Sequence, residues 1–243
     1  MEFTLTTTLI LIGAAAIASF IQRVSGFGFG IFIMTLLPYI LPSYGESTAL
    51  SGLLAMSQSA VVAWNARNNI VWKRVLPMLG IFCVFAFIAI QYVAIINRKG
   101  LMIGLGIILI ALSIYFLFFS EKIKIKPSLP MQLGMGTISG LMGGFFGMQG
   151  PPAVLYFIES EPDKNHYIAQ TQVYFLLGNL FMSFSRFGKG FVTATVGHAW
   201  VFAILGVCMG TYIGSKVFER LPAPALRKII YIYMAISGVV AIV

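Results

Sequence analysis

Ten apolar segments, separated by short polar stretches, occupy almost the whole chain. They are Leu5–Val24, Ile31–Leu41, Thr48–Trp64, Val75–Ile96, Leu101–Phe119, Met131–Gly143, Pro151–Ile158, Ile168–Ser185, Val196–Ser215 and Ala225–Val243. Of the 243 residues 59% are hydrophobic and only 9% are charged, whereas a soluble domain usually carries about 25% charged residues. In lipid a helix satisfies its own backbone hydrogen bonds. The sequence therefore predicts an all-α, multi-pass protein of the cell membrane.

Segment length separates the helices that span the bilayer from those that do not. A spanning helix needs about 20 residues, and Ile31–Leu41, Met131–Gly143 and Pro151–Ile158 are shorter than that. The first segment, Leu5–Val24, follows no basic region, so we expect a membrane helix and not a cleaved signal.

The chain is predicted to be an internal repeat, which is a common construction among secondary transporters. At a constant offset of 121 residues three identities recur, namely Gly13 with Gly134, Ile17 with Ile138 and Gly26 with Gly147. The two halves also share the order of their segments. The predicted division is 1–120 for the first membrane repeat, 121–130 for a basic cytoplasmic linker and 131–243 for the second repeat.

The distribution of basic residues decides between two topologies. If the first two segments of each half together cross the bilayer once, the halves are parallel and the basic residues divide seven to eight between the two sides. If these segments form a hairpin that returns to its own side, the division is eleven to four. The eleven are Arg67, Lys73, Arg74, Lys122, Lys124, Lys126, Lys164, Lys216, Arg220, Arg227 and Lys228, and the four are Arg98, Lys99, Arg186 and Lys189.

Basic residues gather on the cytoplasmic side of membrane proteins, so the second topology is predicted, with both termini outside. The predicted fold is an inverted repeat of two five-segment halves. Each half has a glycine-tipped broken or re-entrant helical hairpin followed by three transmembrane helices. The two hairpins dip into the bilayer from opposite faces.

The hairpin tips are two glycine-rich stretches, Gly26–Gly30 and Gly143–Pro152. Such stretches do not stay regularly helical, and proline is favoured in the first turn of a helix. We therefore expect a new helix at Pro151 in the second half and at Gly30 or Ile31 in the first. Two helix N-termini that converge near the midplane would form a site for a small anion.

The predicted anion site consists of residues at both tips. The tips are built by Gly26, Gly28, Gly30, Gly147, Gly150 and Pro151, and polar contacts are expected from Gln22, Arg23, Ser25 and Gln149. Two alternatives stay open at this stage: glycines that serve only close helix packing, and an Arg23 that snorkels or pairs with a carbonyl. The spacing of Gly206, Gly210 and Gly214 predicts helix packing alone.

Further polar residues lie in the second half. Gln172 and Asn179 are seven residues apart, on one helix face, where they either line a pathway or bond across helices. Arg186 stands at a predicted helix end, where a plain loop charge is favoured over an anion vestibule.

The chain lacks the residues that several other functions require. None of its seven acidic residues lies deep in an apolar segment, which disfavours cation transport and carboxylate-based coupling. There is no metal-ligand cluster, nucleotide motif or catalytic motif, so no metal, no cofactor and no enzymatic activity are predicted. The net charge of +9 is attributed to membrane orientation and not to nucleic-acid binding.

Both tips resemble the glycine signatures of one transporter family. The stretches FIQRVSGFGFGIFIMTLLP and GTISGLMGGFFGMQGPPAVLYF are similar to those of the TauE/SafE family of sulfite and organosulfur anion exporters. The resemblance implies a membrane permease, an exporter or facilitator, for a small sulfur-containing anion such as sulfite or a C2 sulfonate. The site would lie between the halves. The alternatives are an anion channel and a membrane subunit of a sulfur-metabolism complex; the oligomeric state stays open, a homodimer included.

Overall fold

The computed structural model describes residues 4–119, 127–161, 163–218 and 223–242, with the backbone alone for 218 and 223–230. In these ranges the helices are α1 Leu5–Ser25, α2 Phe29–Ile33, α3 Leu37–Ile40, α4 Tyr44–Asn65, α5 Trp72–Val93, α6 Arg98–Phe118, α7 Leu129–Phe146, α8 Gly150–Ser160, α9 Lys164–Gly188, α10 Ala194–Phe218 and α11 Ala223–Ile242. A 3₁₀ turn, Arg67–Asn69, joins α4 to α5. No described residue lies in a β-strand, so the predicted all-α class is confirmed.

Four of the described helices are long and apolar enough to span a membrane, namely α1, α5, α6 and α10. Helices α4 and α9 have 22 and 25 residues but carry more polar side chains. They pack against each other, and buried polar residues such as Ser51 and Asn179 lie on them. Their polarity is therefore internal to the protein and does not face lipid.

Two segment predictions differ from the structure. The stretch predicted as the single helix Ile31–Leu41 is two short helices, α2 and α3, separated by a turn. Pro38 has no N–H and cannot continue the helical hydrogen-bond ladder across that turn. The stretch predicted as Met131–Gly143 is the 18-residue helix α7, which extends to Phe146. Gly140 and Gly144 allow this longer helix to lie directly against the backbone of α5.

Two pairs of helices pack in parallel through glycine. A Cβ atom at Gly206 or Gly210 would overlap the carbonyl oxygens of Ile12 and Ala16, so α10 lies backbone-to-backbone on α1. Helix α7 lies on α5 in the same manner. The predicted packing role of the glycines in α10 is confirmed.

Two other pairs are antiparallel. Near the start of α4, the Thr193 hydroxyl beyond the end of α9 donates to Glu46 at 2.7 Å. Beyond the end of α4, the Val71 N–H donates to Gln170, near the start of α9, at 3.1 Å. Helices α6 and α11 also run in opposite directions, because Ser113 bonds the carbonyl of Tyr231 whereas Gly106 meets Gly238.

The bundle has two faces, which we name by α4: it begins at the first face and ends at the second. Helix α3 ends at the first face, where Arg98 donates to the carbonyls of Pro38 and Pro42. Helix α8 ends at the second face, where Arg74 donates to the carbonyl of Ser160 at 2.6 Å.

The predicted division of the chain into 1–120, 121–130 and 131–243 stays a prediction. The linker residues 121–126 and the basic residue Arg220 lie outside the described residues, as do the side chains of Arg227 and Lys228.

Candidate functional site: two glycine breaks and the cavities beside them

The first break follows α1 and depends on two left-handed glycines. Gly26 has φ +87° and Gly28 has φ +108°, a region that side chains with a Cβ rarely adopt. The Gly26 N–H closes the helix on the carbonyl of Gln22 at 2.8 Å. The Ser25 hydroxyl lies 2.7 Å from the carbonyl oxygen of Ile21 and 2.5 Å from that of Phe27. Ser25 therefore stabilises the turn itself.

The second break follows α7. Gly147 has φ +67° and its N–H bonds the carbonyl of Gly143 at 3.0 Å. Two buried hydroxyls stabilise the loop. Tyr174 donates to Ser139 at 2.9 Å, and Ser139 donates to the carbonyl of Gln149 at 2.6 Å. Helix α8 then begins at Gly150 with two prolines in its first turn.

The two breaks touch each other. A Cβ atom at Gly30 would overlap the carbonyl oxygen of Gly147 and lie 3.1 Å from the Cα atom of Met148. A Cβ atom at Gly150 would lie 3.3 Å from the Cβ atom of Phe27. Stretches that are 120 residues apart in sequence are thus in direct contact.

A small cavity, the tip cavity, lies where the breaks meet. Its volume is about 20 Å³, and one water molecule needs roughly 10–15 Å³ on the same measure. It is lined by Gln22, Gly28, Gly30, Ile31, Ala55, Gly147, Met148, Gln149, Gly150, Pro151, Phe175 and Asn179. Seven of the ten residues of the predicted site, and the pathway candidate Asn179, therefore line this one cavity.

Two amide side chains of the tip cavity carry atoms without partners. Gln22 is 6% exposed, and its Nε2 finds no hydrogen-bond partner among the described residues. Gln149 is 5% exposed; its Nε2 donates to the carbonyl of Phe175 at 3.1 Å, and its Oε1 has no partner in the described part of the chain. An amide nitrogen carries two hydrogens, so both side chains keep a donor for a ligand.

A second cavity, the vestibule, lies between the tip cavity and the second face. Its volume is about 610 Å³, and it is lined by Gln22, Arg23, Val24, Ser25, Gly26, Gln58, Val62, Ile158, Glu161, Lys164, Asn165, Tyr167, Ile168, Thr171 and Gln172. Gln22 lines both cavities. Three predicted contacts, Arg23, Ser25 and Gly26, thus line the vestibule and not the tip cavity.

Arg23 is turned away from the tips. Its Nε donates to the hydroxyl of Ser215 on α10 at 2.7 Å. Successive residues of an α-helix point about 100° apart, so a Gln22 directed at the tips places Arg23 toward α10. The sequence predicts Gln22 and Arg23 in the same anion site, whereas in the structure Gln22 lines the tip cavity and Arg23 does not.

The helix starts at the two breaks are unequal. Helix α2 has only five residues and α8 has eleven, so the aligned peptide dipoles are appreciable only in α8. Pro151 and Pro152 also remove two N–H groups from its first turn. The two helix N-termini are therefore not equivalent, contrary to the prediction. The amide side chains of Gln22 and Gln149 supply much of the polar surface of the tip cavity.

The position of Arg186 differs from the prediction. It was expected as a loop charge, but α9 continues to Gly188, and the Arg186 side chain is fully buried. Its Nη2 donates to the carbonyl of Gly143 at 2.7 Å and to that of Gly144 at 3.3 Å, in the last turn of α7. The signal in the sequence is spacing, because Asn179, Ser183 and Arg186 lie at i, i+4 and i+7 on one helix face.

The buried acidic groups are at the faces and have partners. Glu46 forms a capping box with Ser43 at the start of α4, and Glu161 pairs with Arg74 at 2.5 Å. In the described part of the chain no group of three His, Cys, Asp or Glu side chains is placed to hold a metal ion.

Known proteins match the chain along most of its length. The family model described as sulfite exporter TauE/SafE matches residues 11–241, which include both glycine breaks. A protein of Bacillus subtilis (strain 168), described as probable membrane transporter protein YdhB, is 24% identical over 225 residues, or 88% of this chain and 90% of that protein. No solved structure matches the chain.

Proposed function

The chain belongs to the sulfite exporter TauE/SafE family, and we propose that it transports a small sulfur-containing anion, such as sulfite or a C2 sulfonate, across the membrane. It is a multi-pass membrane protein, and its relative is described as a probable membrane transporter. The anion binds at Gln22, where the vestibule meets the tip cavity, and it enters the vestibule from the second face.

The observation that carries the proposal is the buried Nε2 of Gln22. A buried donor left without a partner costs about 1–3 kcal/mol, so its place beside the glycine breaks favours a ligand with acceptor oxygens. No acidic residue lines the tip cavity, which favours an anion over a cation. The partial positive charge at the start of α8 acts in the same direction.

The sizes of the cavities indicate how transport proceeds. The vestibule accommodates a small oxyanion, whereas the tip cavity holds about one water molecule. An anion therefore reaches Gln22 from the second face and passes further only when the breaks at Gly30 and Gly147 separate. A carrier that alternates between two openings has this requirement, and a permanently open channel does not.

The packing supports an inverted repeat. Helices α4 and α9 stand at corresponding positions of the two halves and run antiparallel, and so do α6 and α11. A two-fold axis parallel to the helices would make such counterparts parallel. The return of the two breaks to opposite faces supports the same arrangement, which many secondary transporters have.

The membrane potential favours export of an anion, and the basic residues indicate which face is cytoplasmic. The inverted arrangement assigns most basic residues to the second face, which the positive-inside rule makes cytoplasmic. Each negative charge gains about 2.3 kcal/mol per 100 mV when it leaves an inside-negative cell. Export therefore needs no nucleotide and no coupling ion.

The test is uptake of sulfite, sulfoacetate, taurine and chloride by proteoliposomes that contain the purified protein, with a planar-bilayer conductance measurement beside it. We expect saturable flux of one sulfur anion without steady single-channel currents, and a loss of at least about tenfold in Gln22→Ala, the loss that about 1.4 kcal/mol of binding energy produces. Gln91→Ala is the matched control, because Gln91 lies on α5 and lines neither cavity. Normal flux in Gln22→Ala, or flux of none of the three sulfur compounds in the wild type, contradicts the proposal.

A further inference from the structure

The strongest unexplained feature of the protein is the fully buried guanidinium of Arg186. Only its Nη2 has hydrogen-bond partners among the described residues, the carbonyls of Gly143 and Gly144. Its Nε and Nη1 have none in that part of the chain, and the same holds for the buried hydroxyls of Ser183 and Tyr44.

Three polar side chains of α9 converge on Gly52 of α4. A Cβ atom at Gly52, on α4, would lie 3.1 Å from Nη1 of Arg186, 3.7 Å from the hydroxyl of Ser183 and 3.8 Å from Oδ1 of Asn179. A single methyl group would thus reach three polar side chains at once. Asn179 also lines the tip cavity, so the cluster begins where that cavity ends.

The guanidinium of Arg186 is not paired with an acid of α4, the helix that packs against α9. The acidic residue of α4 is Glu46, and its carboxylate has other partners. Glu46 of α4 accepts from the Ser43 N–H at 3.0 Å and from the Thr193 hydroxyl at 2.7 Å. A cation buried without a counter-ion is costly, and in membrane segments such residues are usually functional. The bonds to the α7 carbonyls account for Nη2 of Arg186. They do not account for the other two nitrogens, Nε and Nη1.

We propose that Arg186 and Ser183 form a second anion-binding station, on the first-face side of the tip cavity. The proposal rests on the proposed anion transport and adds the group that receives the anion once the tips separate. Gln172, Asn179 and Arg186 follow one another along α9 over 14 residues, which is about 21 Å at 1.5 Å per residue. One helix face thus leads from the vestibule, past the tips, to the first face. The ligand is a small oxyanion, since all free groups of the station are donors or hydroxyls.

The test uses Gly52→Ala, whose methyl group would lie 3.1 Å from Nη1 of Arg186 and crowd the guanidinium without removing it. Gly80→Ala is the matched control, because a Cβ at Gly80, also inside a long helix, would meet nothing within 4 Å. The melting temperature of the purified protein is measured without anion and over a sulfite titration, since a ligand of the folded state raises it. Sulfite flux is measured in proteoliposomes, and Arg186→Gln and Arg186→Lys are compared in the same assays.

We expect Gly52→Ala to keep the anion-free melting temperature of Gly80→Ala, to raise the half-saturating sulfite concentration at least tenfold and to lower flux in proportion. Arg186→Lys should retain part of the sulfite response and Arg186→Gln none. A sulfite response and flux that are unchanged in Gly52→Ala overturn the station. So does an Arg186→Gln protein that is less stable but responds to sulfite as the wild type does, because Arg186 would then only cap α7.

These outcomes are separate from failure of the proposed function. If Gln22→Ala loses flux and Gly52→Ala does not, the tip site stands and the station is wrong. If the wild type neither binds nor transports sulfite or another anion of the panel, both are wrong.

Discussion

Gly30 and Gly147 are in backbone contact, and a methyl group at Gly30 would overlap the Gly147 carbonyl oxygen. This contact joins the break after α1 to the break after α7, and both glycines line the tip cavity. The two halves of the molecule therefore meet at the place where the anion is proposed to pass.

The first prediction concerns this contact. Gly30→Ala forces one backbone away from the other, since neither the carbonyl of Gly147 nor the Cα atom of Met148 can move as a flexible side chain can. We expect sulfite flux to fall more than tenfold. Gly13→Ala is the control, because a Cβ at Gly13 would meet nothing within 4 Å; in a helix interior alanine should be neutral or stabilising by up to about 1 kcal/mol. Equal flux in the two variants would refute the role of the contact.

The second prediction separates backbone strain from the site. Gly28 and Gly190 both have positive φ, so alanine at either position should cost roughly 1–2 kcal/mol of stability. A Cβ at Gly28 would also lie 3.0 Å from Cγ2 of Ile21, whereas one at Gly190 would meet nothing within 4 Å. We expect both variants to melt earlier, but only Gly28→Ala to lose the rise in melting temperature that sulfite causes. Retention of that rise in Gly28→Ala would argue that the first break is structural only.

The third prediction concerns the support beneath the second break. Tyr174→Phe removes the hydroxyl that donates to Ser139, which in turn holds the carbonyl of Gln149. Loss of a buried hydrogen bond costs about 1–3 kcal/mol when its partner is left unsatisfied. We expect a lower melting temperature and weaker sulfite binding, measured by titration. Tyr92→Phe, on an exposed side chain, should change neither, and an unaltered affinity in Tyr174→Phe would show that Gln149 does not depend on this support.

The fourth prediction concerns the ion pair that ties the end of α8 to α5. The Arg74 side chain is 47% exposed and that of Glu161 is 6% exposed, so solvent screens the pair and its contribution should stay near 1 kcal/mol or below. Glu161→Gln should lower the melting temperature slightly in low salt. The difference should shrink in 1 M NaCl, because the Debye length there is only about 3 Å and the ion pair is screened. Glu159→Gln, on the same helix at an exposed position, is the control. A loss that is large and insensitive to salt would mean that Glu161 has a further role in the vestibule.

The sequence predicted those features that local chemistry decides. The low charge content and the ten apolar segments indicate a membrane protein whatever their packing. Glycine at positions 26, 28 and 147 and proline at 151 and 152 break helices through backbone preferences that act on the residue itself. Both breaks, and seven residues of the tip cavity, could therefore be predicted from the sequence alone.

The tertiary structure decided where each polar side chain points. Gln22 and Arg23 are neighbours in sequence, but the glycine packing of α10 on α1 sets the rotation of α1 and so directs Gln22 to the tips and Arg23 to Ser215. Arg186 looked like a loop charge because the polar stretch after it suggests a helix end. Its burial follows from the continuation of α9 to Gly188 and from its bond to the carbonyl of Gly143 on α7, 43 residues away in the chain. Rotation and burial depend on contacts between distant segments, and no single stretch of sequence contains them.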